Sequence, residues 1–502
     1  MHRFTRIVAI AAMLCSVITL STANVAVSAP LFQPTVSDWQ FISANTTPPT
    51  EAQCYSAGRR CFIPASMANS YNYASLLSAG NQGQGITIAV VDSYGSDTIQ
   101  HDLHVFDQAY GLQPMCGEEG VTCTAGMPTF SIFSLQGSPS TTGQPPNSGT
   151  GQEDRSAWAL EVSLDVEWAH ATAPRANILL VTTPTAETLG VQGLPQMMNA
   201  IDYVVNNHMA DVISMSFGTG EGAFHNGLAA LLQNRQGFVD AQANHVTLFA
   251  SSGDFGTANI MKEPIKNPNP IPYPSVGWPA SDPLVTSVGG TYLCTDASTG
   301  LSVDTTNPPS RCRPGLNPTL ARETGWIAAG GGYSILFPRP SFQNTLPPGS
   351  TFVGSSVGAP GPNNNMRGVP DVAYQASATT GVLIYITLPP DGNSGLICGG
   401  TPCSTGWYDI GGTSASSPQW AGLTAIADQM AGHDLGYLNN ALYAIANNPA
   451  KYAADFYDVT TNCNQTDPSI PGYCASQGWD AVTGLGTPNA AKLLPDLIAA
   501  IP

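Results

Sequence analysis

Gly85-Ile86-Thr87-Ile88-Ala89-Val90-Val91-Asp92 is the stretch that decides how this chain is read. From Ile86 to Val91 it is mostly apolar and rich in β-branched side chains. It is too short for a helix and ends at Asp92 and Gly95, as a buried strand does. Similar runs recur at Ile178–Val181, Val212–Met215, Val246–Ala250 and Leu284–Val288, with helical patterns at Ser156–Ala171, Leu194–Asn207 and Leu228–Asn234. Strands alternating with helices predict an α/β fold, with a mainly parallel central sheet covered by helices on both faces. Ligands then belong at the carboxyl ends of the strands. Asp92, Ser216-Phe217-Gly218 and Ser251-Ser252-Gly253-Asp254 all fall at such ends. Residues 30–80 read as a polar, irregular arm, and 257–280 and 296–365 as long Pro/Gly-rich surface loops.

Much later, Gly411-Gly412-Thr413-Ser414-Ala415-Ser416-Ser417-Pro418 leads into the apolar run of Trp420, Leu423 and Ile426. Ser414 thus stands where a glycine turn becomes a buried helix. There, unpaired N–H groups and the positive end of the helix dipole favour a developing oxyanion. Pro418 is expected within the first turn, where a missing donor costs little. A Ser/Thr cap on a core helix explains the same motif without any chemistry.

The pattern Ser156–Ala171 carries Glu161 and Asp165, four residues apart and so on one helical face, among Trp158, Leu160, Leu164 and Trp168. Two carboxylates confined by apolar bulk repel, which raises a pKa. The plainer alternative is that both point to water. Asp254, just after a strand, fits an Asx-turn or a helix cap equally well. A serine nucleophile ordinarily needs a base, and none of the eight histidines stands out as one. His101 and His104 follow the Asp92 strand and leave open a subtilisin-type set of Asp92, His104 and Ser414. In acid an imidazole is protonated and useless as a base, whereas a glutamate with a raised pKa is poised.

Residues 1–29 read as a secretory signal: Arg3 and Arg6, an apolar stretch from Ile7 to Leu20, then small residues. Its removal leaves 14 basic against 34 acidic residues, a net charge of −20. That excess argues against nucleic acid or anionic membranes as partners and suits an acidic medium. The ten cysteines beyond the signal fall in neighbouring couples, as disulfides of an exported protein do. Local pairing is expected among many connectivities: 54–61, 116–123, 294–312, 398–403 and 463–474. Zinc is the competing reading, without a Cys-x-x-Cys knuckle to support it.

Taken together, the motifs resemble those of the sedolisins, the serine-carboxyl peptidases of subtilisin-like fold. The resemblance rests on Glu161-Val-Ser-Leu-Asp165-Val-Glu-Trp168, Ala173-Pro174, Ser251-Ser-Gly253-Asp254 and Gly412-Thr413-Ser414 with Pro418. Gly330-Gly331-Gly332-Tyr333-Ser334, Phe337 to Gln343, Arg367 to Asp371, and Gly478-Trp479-Asp480 leading into Thr483-Gly484-Leu485-Gly486 extend it, in order, over roughly residues 65–490.

The resemblance implies a three-layer architecture with Ser414 as nucleophile and Glu161 as general base. Asp165 would orient Glu161, and Asp254, protonated, would donate to the oxyanion. It also implies a C-terminal loop for one structural Ca²⁺. Asp458 and Asp480 would bind by carboxylate, and Val459, Ser476 and Gly478 by carbonyl, with Ser476 standing where the family often has glycine.

The expected organisation is a signal at 1–29, an arm at 30–64 without the family's long prodomain, and a catalytic domain at 65–502. The function implied is a secreted, monomeric, acid-acting peptidase on polypeptides, an endopeptidase by preference. Alternatives are a tripeptidyl-peptidase of the same family, or an inactive binding protein on that scaffold.

Overall fold

A computed structural model of the chain describes residues 33–34, 38–135, 152–184, 194–224, 227–262, 269–306, 309–313, 320–348, 350, 356–357, 365–388, 396–398 and 401–501. The signal read at 1–29 lies outside the described residues.

Ile86–Val91 does form a strand, Thr87–Ser93, at the centre of an eight-stranded sheet. It runs parallel to Asn177–Thr183 on one side and Val212–Met215 on the other, with Val90 opposite both Leu180 and Ser214. Outward from there, Phe130–Ser134 adds beyond Asn177–Thr183. On the other side Thr247–Ser251 and then Thr286–Leu293 continue the parallel order. Thr286–Leu293 pairs further with Val372–Gln375, parallel, and with Glu323–Gly325, the one antiparallel neighbour in this sheet among the described residues. The central strands are buried because both faces are covered. Ile88, Val90, Ile178 and Leu180 pack toward one face with the helices Gln152–Thr172 and Thr413–Ala431. Ala89, Val91, Leu179 and Val181 pack toward the other, under Leu194–Asn206 and Gln236–Ala243. This is the three-layer α/β architecture.

Four sequence expectations change. The stretches 257–280 and 296–365 are not simply surface loops. The first holds the buried strand Gly277–Trp278. The second holds Glu323–Gly325 of the central sheet and the strand Gly332–Pro338, paired with Met366–Val369, because their partners lie far away in the chain. The arm is not irregular. It holds a strand, Asp38–Ser43, and helices Glu51–Ser56, Pro64–Ser70 and Ala74–Ser78. These elements are too short for a periodic pattern, and local devices hold them, such as the capping box of Thr50 with Gln53 and Pro64 at a helix start. The strand expected at Leu284–Val288 runs instead over Thr286–Leu293, through Gly289 and Gly290. A Cβ on Gly290 would lie 2.6 Å from that of Ala376, so glycine there permits a close approach rather than a break. Finally, the serine helix begins at Thr413, which makes Pro418 its sixth residue and places it beyond the first turn. Its ring cannot donate to the carbonyl of Ser414.

Four of the expected disulfides are present: Cys54–Cys61, Cys116–Cys123, Cys294–Cys312 and Cys463–Cys474. Cys403 is disulfide-bonded as well.

Candidate active site

Two buried helices define the site. Gln152–Thr172 is buried from Trp158 to Thr172, and Glu161 and Asp165 are fully buried within it. Thr413–Ala431 starts from Gly412, whose φ of 139° an L side chain would rarely adopt, and brings Ser414 in at its second position. The helices meet at Gly422, where a Cβ would fall 2.6 Å from that of Thr172. Only glycine allows this approach.

The Ser414 hydroxyl faces Glu161 and lowers its pKa by hydrogen bonding to it. The contact is not yet closed to good alignment, since neither carboxylate oxygen of Glu161 has a well-formed hydrogen bond. Such slack is usual before substrate binds. Burial outweighs it and holds the Glu161 carboxyl well above its ordinary range, with the nearby charges of Asp165, Asp92 and Asp254 adding to the rise. Asp165 is also held well above the carboxylate range, first by burial and then by Asp92, against one hydrogen bond from the Ser216 hydroxyl at 2.9 Å. Burial pushes Asp92 up to about 8, and neither of its oxygens has a hydrogen-bond partner.

Asp254, at the carboxyl end of Thr247–Ser251, reaches the start of the serine helix. Its Oδ1 accepts both the N–H and the hydroxyl of Thr413, each at 2.8 Å, while the Thr413 hydroxyl accepts from the N–H of Gly253 at 3.0 Å. With Oδ1 the acceptor, a proton on this carboxyl would sit on Oδ2.

Glu161, Asp165, Asp254 and Ser414, separated by up to 253 residues in sequence, are therefore brought together. Asp92 joins them as a further acid, and His104 does not. Its Nδ1 meets Glu118 at 3.0 Å and its Nε2 meets Gln108 at 2.8 Å. His170 pairs with Asp107, and His101 with Glu119. The roles of Asp92 beside Asp165 and of Ser216 as its donor were not read from the sequence. Both stand at the carboxyl end of a central strand, which was the available signal.

The C-terminal loop also converges. The carboxylate of Asp458 accepts from the Gly478 N–H at 3.1 Å, and that of Asp480 from Ser476 at 3.1 Å and from Val482 and Thr483 at 2.8 Å. The Thr483 hydroxyl lies between Asp480 and the Val459 carbonyl. Among the described residues no cluster of three or more carboxylate, imidazole or thiolate groups suited to a metal occurs. This loop gathers two carboxylates, with backbone carbonyls and the Thr483 hydroxyl beside them.

Comparison with known proteins agrees with this geometry. Residues 150–455 match the Subtilase family. Kumamolisin of Bacillus sp. (strain MN-32) is 29% identical over 458 residues, covering 89% of this chain and 66% of that protein. Sedolisin of Pseudomonas sp. (strain 101) is 30% identical over 432 residues, covering 86% and 60%. Human tripeptidyl-peptidase 1 is 27% identical over 368 residues, covering 69% and 53%. The chain thus spans two thirds or less of the length of these relatives. Among solved structures, Pseudomonas sedolisin, a serine-carboxyl proteinase complexed with pseudo-iodotyrostatin, superposes with a TM-score of 0.60 at 25% identity, over 88% of this chain and 99% of that one. With its serine set among carboxylates on this sheet, the chain belongs to the subtilase family and, within it, to the sedolisins.

Proposed function

We propose that this chain is an exported, monomeric peptidase that cleaves polypeptides in acid through a serine acyl-enzyme. The observation that carries the reading is the hydroxyl of Ser414 set against Glu161, inside a group whose strongest neighbouring charges are all carboxylates.

In this mechanism Glu161 takes the proton as the Ser414 oxygen attacks the scissile carbonyl. It then passes the proton to the leaving amine, and water completes hydrolysis by the reverse route. Asp165, held by Ser216, fixes the orientation of Glu161. Asp254, neutral, donates to the oxyanion beside the serine helix N-terminus. Crowded acids lose their protons one at a time. The first anion is stabilised at Glu161 by the Ser414 hydroxyl, and each later loss is opposed by the charge already present. Acid thus leaves room for one base while Asp254 keeps its proton. Toward neutral pH the donor is lost.

The loop of Asp458, Val459, Ser476, Gly478 and Asp480 fits a calcium ion. Its donors would be hard oxygens, two carboxylates and three backbone carbonyls, which is the set calcium prefers. Bound there, calcium would stabilise the loop pinned by Cys463–Cys474 and take no part in bond cleavage.

Export is supported by the signal-like residues 1–29 and by the disulfides. No helix among the described residues is long and apolar enough to cross a membrane.

Endopeptidase action is the preferred mode. The likeness to tripeptidyl-peptidase 1 sustains the alternative of cutting from a free amino terminus. Digestion of a protein substrate and of amino-blocked peptides across pH 2–8 tests both. Cleavage of blocked peptides in acid supports the endopeptidase, cleavage of unblocked peptides alone supports the alternative, and no cleavage at any pH defeats the peptidase reading.

A further inference from the structure

Asp254 stands in a turn beyond the end of its strand at Ser251, so its place depends on what grips that turn. The hairpin closed by Cys463–Cys474 supplies the grip, through Asn464. Asn464 is fully buried, and each of its polar groups is engaged. Its N–H donates to the Tyr473 carbonyl at 2.9 Å, and its Oδ1 accepts the Tyr473 N–H at 2.8 Å. Its own carbonyl accepts the N–H of Thr257 at 3.3 Å. Its Nδ2 faces the carbonyls of Ala329 at 3.1 Å, Gly331 at 3.4 Å and Ala481 at 3.5 Å. Turned over, the amide would set its oxygen against those carbonyls, so the partners fix its orientation.

The Ala329 carbonyl and the Gly330 N–H belong to one peptide unit. That N–H donates at 2.7 Å to the Gly253 carbonyl, which is part of the peptide joining Gly253 to Asp254. A continuous line of hydrogen bonds thus runs from the Asn464 amide, through one peptide unit, to the backbone of Asp254, and each bond polarises the next. Glycine permits the close packing. A Cβ on Gly330 would run into the Ser252 carbonyl, one on Gly331 into the Ala481 carbonyl, and one on Gly256 into the carbonyl of Asn464 itself. The same hairpin holds the far side of the turn: the Thr466 hydroxyl donates to the Phe255 carbonyl at 2.5 Å, and the Thr257 hydroxyl to the Pro471 carbonyl at 2.9 Å.

We propose that Asn464 is a positioning residue for the oxyanion donor, fixing the Gly253–Asp254 peptide through Ala329 and Gly330 and so aiming the Asp254 carboxyl. The proposal rests on the peptidase reading, in which Asp254 is that donor, and adds the residue that sets its aim. An amide offers a donor and an acceptor at every pH, whereas a carboxyl in its place would do so only while protonated.

The test assays the full chain in acid, on one peptide that wild type hydrolyses, as a cycle of wild type, Asn464→Ala, Asp254→Ala and the double variant. Asn464→Ala is expected to lower kcat about 10–100-fold and to move KM by less than about threefold. In the Asp254→Ala background there is no donor left to aim, and the same change should cost less than about twofold. Asn464→Asp at pH 3, protonated, should recover most of the rate that Asn464→Ala loses. Gln465→Ala removes a bond to the Ile470 carbonyl within the same hairpin and away from the turn, and should leave kcat unchanged. If circular dichroism shows Asn464→Ala unfolded, Asn464→Ser replaces it with the same expectation, since a serine hydroxyl is too short to bridge Ala329 and Tyr473.

An unchanged kcat in the Asn464 variant, or an equal loss in the Asp254→Ala background, overturns the proposal. So does a rise in KM alone, an Asn464→Asp variant without recovery at pH 3, or an equal loss in Gln465→Ala. If wild type hydrolyses no peptide at any pH, or Asp254→Ala alone keeps its full rate, the underlying reading has failed instead, and the two failures are told apart.

Discussion

Asp254 Oδ1 accepts both the backbone N–H and the hydroxyl of Thr413, one residue before Ser414. A single carboxylate oxygen thus fixes the first turn of the serine helix and leaves Oδ2 for a proton. Two consequences should separate by variant. Asp254→Asn keeps an oxygen for Thr413 and a donor for the oxyanion, and should retain much of the rate while extending activity toward neutral pH. Asp254→Ala should lose on the order of 10²–10³ in kcat, the usual worth of one such donor, and melt earlier. Steady-state rates over pH 3–8 together with Tm for both variants check this.

Gly422 is predicted to be the least replaceable residue of the serine helix. An alanine methyl would lie 2.6 Å from the Thr172 Cβ and 3.3 Å from the Ala169 carbonyl, between two buried helices with little slack. Gly422→Ala should cost about 1–3 kcal/mol of stability by overpacking. Because the same contact sets Glu161 against Ser414, kcat should fall in the folded fraction too. Calorimetry, with rates normalised to active sites, separates the two effects.

The pH dependence of stability has a definite sign. Burial raises Asp92 and Asp428 to about 8 and Asp102 to about 6, and holds Asp409 well above its ordinary range. Groups whose folded pKa is raised bind more protons folded than unfolded. Their contribution is complete below the unfolded carboxylate range near pH 4 and is lost as pH climbs through the folded values. The protein should therefore be most stable in acid, with Tm falling between about pH 4 and 8. A Tm that rises over that interval contradicts the assignment of these acids as buried and neutral.

Calcium should act on stability and not on chemistry. Removing divalent cations with a chelator is expected to lower Tm, and added calcium, but not magnesium, should restore it. Asp480→Ala should abolish the calcium response.

Much of this was legible in the sequence because the relevant signals were local. Ile86–Val91 is unmistakable as a buried strand, and Glu161 with Asp165 share a face by spacing alone. What escaped depended on partners far away in the chain. Nothing in Gly289-Gly290 says that a strand passes through them because Pro370 and Ala376 press close. Asp92 reads as the end of a strand, and its burial against Asp165 exists only once the acid helix is laid over the sheet. The arm looked irregular because strand Asp38–Ser43 is completed by Gly406–Gly411, more than 360 residues later. Nor does the sequence reveal that the serine helix begins at Thr413, which carries Pro418 past the first turn.

The central claim is that a glutamate rather than an imidazole relieves Ser414 of its proton. It is tested most directly by pH–rate profiles of the wild-type chain, Glu161→Gln and His104→Ala on one peptide from pH 2 to 8. The account predicts that wild type and His104→Ala share an acid profile, and that Glu161→Gln falls by about 10²–10⁴ throughout. A Glu161→Gln variant at full rate, or a dead His104→Ala, would contradict it.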